Sequence, residues 1–397
     1  MSADAAMPAL LRATGLAGTI RTAMAVLLAL GWAAAPLGQP RGGMLVYVGT
    51  YTGAKSKGIH AFRFDPSTGA LTTIGLVAET PSPSWLAVHP SGRFLFAANE
   101  TSAFDAAGSG AVSAFTIDRA TGALTTINSQ ASRGADPCHL TVDRAGARLL
   151  VANYTGGNLA VLPIGPDGRL GQASQVVPHR GSSVNASRQT RPHAHSIDFD
   201  VSHRFAVSAD LGADRLFVYR YDPQGGTLSA GLHPSVAATP GAGPRHVAFH
   251  PGGRLAFAIN ELSSTITTYG WDATRGALRT LATVSTLPAA ARRRDNSTAE
   301  IRVHPGGRFV YGSNRGHDSI AVFRVGDSGV LTLVEHEPTR GKTPRSFTID
   351  PSGRWLVAAN QGTDTLAVFA IDAATGALSP VGPLAPVGSP VSVVFVE

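Results

Sequence analysis

The chain of 397 residues is 43% hydrophobic and holds 45 glycines and 26 prolines, too many turn formers for a helical protein and enough apolar surface for one large β architecture. Its formal charge of +7 comes from 33 Lys+Arg against 26 Asp+Glu, with Lys55, Lys57 and Lys342 the only lysines, and no basic tract interleaved with aromatics marks a nucleic-acid surface. The single cysteine, Cys138, excludes internal disulfides and cysteine-based zinc sites.

In chain order, the first element is an apolar run. Arg12 and Arg21 precede "TAMAVLLALGWAAAP", which ends in small side chains and is too short for a comfortable membrane span. Residues 1–43 are expected to be a signal peptide and short linker, giving an exported (periplasmic or secreted) protein with no membrane attachment after cleavage. The alternative is a cytoplasmic protein with this segment docked on its domain.

From residue 44 the chain repeats with a period of about 45 to 57 residues, near that of propeller blades. Each repeat begins with a strand ending in a Pro/Gly turn: "WLAVHPSGR", "HLTVDRAGAR", "SIDFDVSHR", "HVAFHPGGR", "IRVHPGGR" and "SFTIDPSGR". The second half is a strand, an Asn-rich loop, a further strand and a turn, as in "WLVAANQGTDTLAVFAIDAATGAL". That half opens the series at residue 44 without a preceding first strand, and the unpartnered copy "SPVSVVFVE" ends it. Joining the two orphans closes the ring and leaves no sheet edge open. The fold class is therefore all-β, a seven-bladed β-propeller over residues 44–397, with the C-terminal strand paired to the N-terminal blade.

Recurrence separates scaffold from site. His89, His250 and His304 alternate with Asp143, Asp200 and Asp350 before the turn, a turn-capping slot. Asn99, Asn153, Asn260, Asn314 and Asn360 recur at the end of the second strand and suit loop-backbone hydrogen bonds. Antiparallel topology brings Arg245 and His246, at the start of one strand, to the end of the next, where Glu261 lies. Aligned on the turn, the Arg245 slot holds Ser84, Cys138, His195, Ala299, Arg345 and Val391, and the His246 slot holds Trp85, His139, Ser196, Glu300, Ser346 and Ser392. A scaffold would repeat one residue type there. Arginines, histidines and a glutamate instead mark a binding site at one channel mouth. The two longest connections, "VVPHRGSSVNASRQTRPHAH" and "TLPAAARRRDNSTAE", are placed to wall that mouth.

The strings "HRGSSVNASRQTRPHAHSI", "GAGPRHVAFHPGGRLAFAINEL" and "TPRSFTIDPSGRWLVAANQ" resemble the seven-bladed propeller lactonase family, which includes one class of 6-phosphogluconolactonase and is similar to carboxymuconate lactonising enzymes. The resemblance implies metal-independent hydrolysis of a sugar-acid lactone, without cofactor, on a small anionic substrate. It implies catalytic roles for His195, Arg245, Glu261 and Arg345, and substrate contacts from His193, with His139, His246 and Glu300 added from the slot pattern. His195 or Glu261 would activate water. No HExxH, Cys/His zinc spacing, EF-hand loop or G-x-S-x-G elbow is present. Alternatives are an unphosphorylated-lactone hydrolase, a muconate lactonising enzyme, or a non-catalytic exported propeller similar to YVTN-type surface proteins. Oligomeric state is not legible, because a closed propeller hides its own edges.

Overall fold

A computed structural model of the chain describes residues 43–291 and 295–397. The proposed signal segment and the arginines of the run "ARRRD" lie outside the described residues. Seven four-stranded antiparallel sheets form the blades, and the strand Pro390–Val396 is the innermost member of the sheet that continues through Met44–Thr50, Gly58–Phe64 and Leu71–Glu79. Its pairing runs from Leu45↔Val396 to Gly49↔Ser392. Both orphan halves thus complete one blade, as the repeat arithmetic requires.

Between each pair of neighbouring blades lies one apolar cluster, seven in all. Alternate residues of a strand serve different clusters. In Leu255–Asn260, Ala256 and Ala258 pack toward the preceding blade while Phe257 and Ile259 pack toward the following one. Both faces are buried, so the inner strands read as continuous apolar runs and not as half-polar alternation.

The recurrent turn residues stitch blades together. His250 accepts the Gly252 N–H on Nδ1 at 2.9 Å and donates from Nε2 to the Gly307 carbonyl of the next blade at 2.9 Å. His89 and His304 make the same reach to Gly146 and Gly353. Where Asp occupies the slot it caps its own turn instead, as Asp143 does for Ala147 and Arg148. The repeated asparagines serve loop backbone: Asn153 bonds the Ser132 carbonyl and Asn360 that of Thr339.

Candidate active site

Five innermost strands carry the same irregularity at their start. The ladder shifts register between Pro83 and Trp85, Pro137 and His139, Ala194 and Ser196, Pro244 and His246, and Pro344 and Ser346. The skipped residues are Ser84, Cys138, His195, Arg245 and Arg345. A β-bulge leaves its extra residue out of the pairing and re-aims its side chain, and here it brings His195 and Arg245 to Glu261 and Arg345 to Glu100.

Glu261 is the meeting point. Arg188 Nη2 donates to its Oε1 at 2.7 Å, while Arg245 Nε and Arg315 Nη2 lie 3.2 and 3.0 Å from Oε2. His195 Nε2 is 3.8 Å from the same oxygen, longer than a hydrogen bond. Arg245 Nη1 also donates to the Ala299 carbonyl at 2.7 Å. On the rim, Arg345 lies 3.8 Å from Glu100 and over the Tyr51 ring, and Tyr51 donates to Glu100. Four guanidiniums thus face two carboxylates, leaving a positive mouth.

The electrostatics divide the roles that the sequence left open. Burial alone would raise the Glu261 carboxyl, but the charges of Arg315, Arg245 and Arg188 overrule it and hold the group well below the usual carboxylate range. Glu261 is therefore a fixed anion that orients arginines. Burial, reinforced by Arg245 and His246, drives His195 well below the ordinary histidine value, so its imidazole is neutral at neutral pH. Cys138 Sγ sits 3.5 Å from His195 Nδ1, and burial keeps that thiol protonated. Only the Nε2 edge faces Glu261.

The other expected residues separate into two levels. His193 stacks on Tyr154 at 4.5 Å and donates from Nδ1 to the Tyr154 carbonyl, which anchors the foot of the long loop. His246 lies directly beneath Arg245, with Nε2 3.1 Å from Arg245 Nη1. His139 and Glu300 do not reach the Glu261 cluster. They lie one level deeper, where His246 Nδ1 approaches Glu300 at 3.3 Å and His139 packs on Trp85.

Sequence reasoning missed Arg188, Arg315, Tyr51, Glu100 and Tyr154. Four of these, like Glu261, follow the recurrent residue that ends the second strand: Tyr51 after Thr50, Glu100 after Asn99, Tyr154 after Asn153, and Arg315 after Asn314. Aligning that slot across blades would have exposed a second irregular ring. Arg188 had no repeat to betray it. It comes from the connection between Gln175–Pro178 and Ala194–Phe199, where Asn185 caps Ser187 and Arg188, and buried Gln189 donates to the Leu211 carbonyl. Tyr154 accepts a second bond from the same Arg188 nitrogen at 3.0 Å.

A closed ring that gathers buried arginines, a fixed anion and a neutral imidazole at one channel mouth is a seven-bladed β-propeller with a candidate site built from strand ends and one long loop. The particular family follows from comparison: the chain belongs to the seven-bladed β-propeller lactonases, whose sequence profile it matches over residues 45–395. It is 39% identical to a 6-phosphogluconolactonase of Bacillus subtilis over 76% of this chain and 83% of that protein. A 6-phosphogluconolactonase of Formosa agariphila is 33% identical over 76% and 85%. Among solved structures, a periplasmic gluconolactonase of Pseudomonas aeruginosa superposes with a TM-score of 0.83 at 34% identity, covering 89% of this chain and 99% of that one. Among the described residues, no group of three or more His, Cys, Asp or Glu side chains is arranged to hold a metal ion.

Proposed function

We propose that this chain hydrolyses an anionic sugar-acid lactone, 6-phosphogluconolactone foremost, at the mouth built around Glu261. The observation that carries this reading is the excess of guanidinium charge about one neutral, buried imidazole. Arg188 and Arg345, on the rim, bind the substrate's anionic group. Arg245 and Arg315 face the lactone carbonyl and stabilise the oxyanion as water adds to its carbon. His195 Nε2 takes the proton of that water and returns it to the ring oxygen as the C–O bond breaks, yielding the open hydroxy acid. Burial and the arginine charges together depress His195, and a bound anion offsets the second of these, so the substrate raises the basicity of the group that activates its water.

A second reading, hydrolysis of an unphosphorylated lactone outside the cytoplasm, is favoured by two observations. The N-terminal run has the pattern of an export signal, and the Pseudomonas aeruginosa relative is a periplasmic gluconolactonase. Acid release from 6-phosphogluconolactone and from gluconolactone, followed by pH indicator, separates the two. The phosphorylated lactone is expected to show the higher kcat/KM, and His195→Asn to lower kcat by about 10²- to 10⁴-fold. A preference for gluconolactone establishes the second reading, and no turnover of either above background rejects both.

A further inference from the structure

Below the mouth, the channel widens into a chamber of about 290 Å³ lined by Trp85, His139, Asp198, His246, Glu300 and Arg302. His246 divides the two levels, touching Arg245 above and facing Glu300 below. The chamber opens toward the opposite end of the propeller. Side-chain exposure rises from 3% at His139 and 2% at Glu300 to 31% at Asp198 and 35% at Arg302, nearer the interblade turns. Asp198, Glu300 and Arg302 have no role in the hydrolysis proposed above.

Its polar groups are incompletely matched. Glu300 Oε2 is buried and has no hydrogen-bond partner among the described residues; His246 Nδ1 stands 3.3 Å away without the alignment of a hydrogen bond. Arg302 Nε, 3.3 Å from Glu300 Oε1, is likewise without one. Among the described residues, Asp198 has one charged-group neighbour within 4 Å, His139 Nε2 at 3.6 Å. A buried carboxylate oxygen left unmatched is costly, so such a group points to something that enters and bonds it. Trp85, held between His139 and the Arg302 guanidinium, supplies a rigid wall.

The charges select the ligand. An anion would meet the buried Glu300 carboxylate, and a small cation would meet the Arg302 guanidinium. Hydroxyl groups both donate and accept, and several on one small neutral molecule would satisfy Asp198, Glu300 and Arg302 together. We propose that this chamber is a second binding site, separate from the lactonase mouth, for a neutral polyhydroxylated molecule of the free-sugar or sugar-alcohol class.

Titration calorimetry of the full chain with D-glucose and with sorbitol tests this without any lactone, so its outcome does not depend on the catalytic reading. Saturable binding of either is expected, weakened at least about tenfold by Asp198→Ala and by the cavity-filling Ala248→Leu, which leaves every charge in place. Arg245→Ala should leave this binding intact, and Asp198→Ala should leave lactone turnover intact. The proposal is overturned if neither compound binds saturably, if both chamber variants bind as the parent does, if only Arg245→Ala abolishes binding, or if gluconate or calcium binds in the chamber in their place.

Discussion

Glu261 commits both carboxylate oxygens to arginines, so a change at this residue disturbs three guanidiniums at once and is a poor probe of any single role. Arg188 is the cleaner probe, because its side chain is 41% exposed and comes from a loop. Arg188→Ala is expected to raise KM for 6-phosphogluconolactone about tenfold or more, the worth of one charge-assisted hydrogen bond, with kcat nearly unchanged and the melting temperature lowered, because Glu261 Oε1 loses its partner. Steady-state kinetics on both lactones check it, since gluconolactone lacks the group concerned. Acid stability belongs to the same scale. Burial holds His139, His195 and His246 well below the ordinary histidine value of 6.5, so the unfolded chain binds three protons that the folded chain refuses. Asp198 acts in the opposite sense: burial raises its carboxyl to about 8, so the folded chain keeps a proton there that the unfolded chain releases. Three imidazoles outweigh one carboxyl, so the unfolded chain binds more protons and stability falls as pH drops below about 6.5, the ordinary histidine value. Denaturant melts at pH 7, 6 and 5 measure that slope, and a flat profile would show that the imidazoles are not buried neutral. Activity should hold level from pH 8 to 6 for the same reason, because His195 is already deprotonated there.

At the scale of the element, the repeated strand starts and turns carry different burdens. The bulge at each strand start is what lets a packing strand present a functional side chain, and no residue type announces it: Ser, Cys, His and Arg all occupy the bulged place. The outer hairpin turns, by contrast, share an Asp and Thr-Gly pattern, as in "DPSTGAL", "DRATGAL" and "DAATGAL". In the last of them Asp372 accepts the Ala374 and Thr375 N–H groups, and Gly376 adopts φ 80° with its carbonyl taking the Tyr311 hydroxyl. A Cβ there would lie 2.4 Å from the Phe309 ring. Gly376→Ala is therefore expected to destabilise by about 1–3 kcal/mol from backbone strain, with the clash adding to it. Thermal unfolding reads this directly, and lactone turnover at 25 °C should survive because the turn is far from the mouth.

Across the whole molecule, stability depends on closure. The last strand seals the ring, with Val393 buried against the seventh blade and Val396 against the second. Val393→Asp would place an unpaired charge in that seam, and it is expected to move the protein into the aggregated fraction on size exclusion, since an opened blade exposes pairing edges on both sides. A soluble, fully active Val393→Asp protein would contradict the closure argument. The blade number, the closing strand and the Arg245–Glu261 pairing were all contained in the sequence, because hairpin registry is local and a repeat reports its own period. The membership of the site was not. Residues 51, 100, 154, 188, 195, 261, 315 and 345 stand far apart along the chain, and only ring closure places them about one axis. The division of His246, His139 and Glu300 from the mouth had the same origin: neighbouring slots on a strand are one residue apart in sequence, but a bulge decides which of them looks up at the mouth and which looks down the channel.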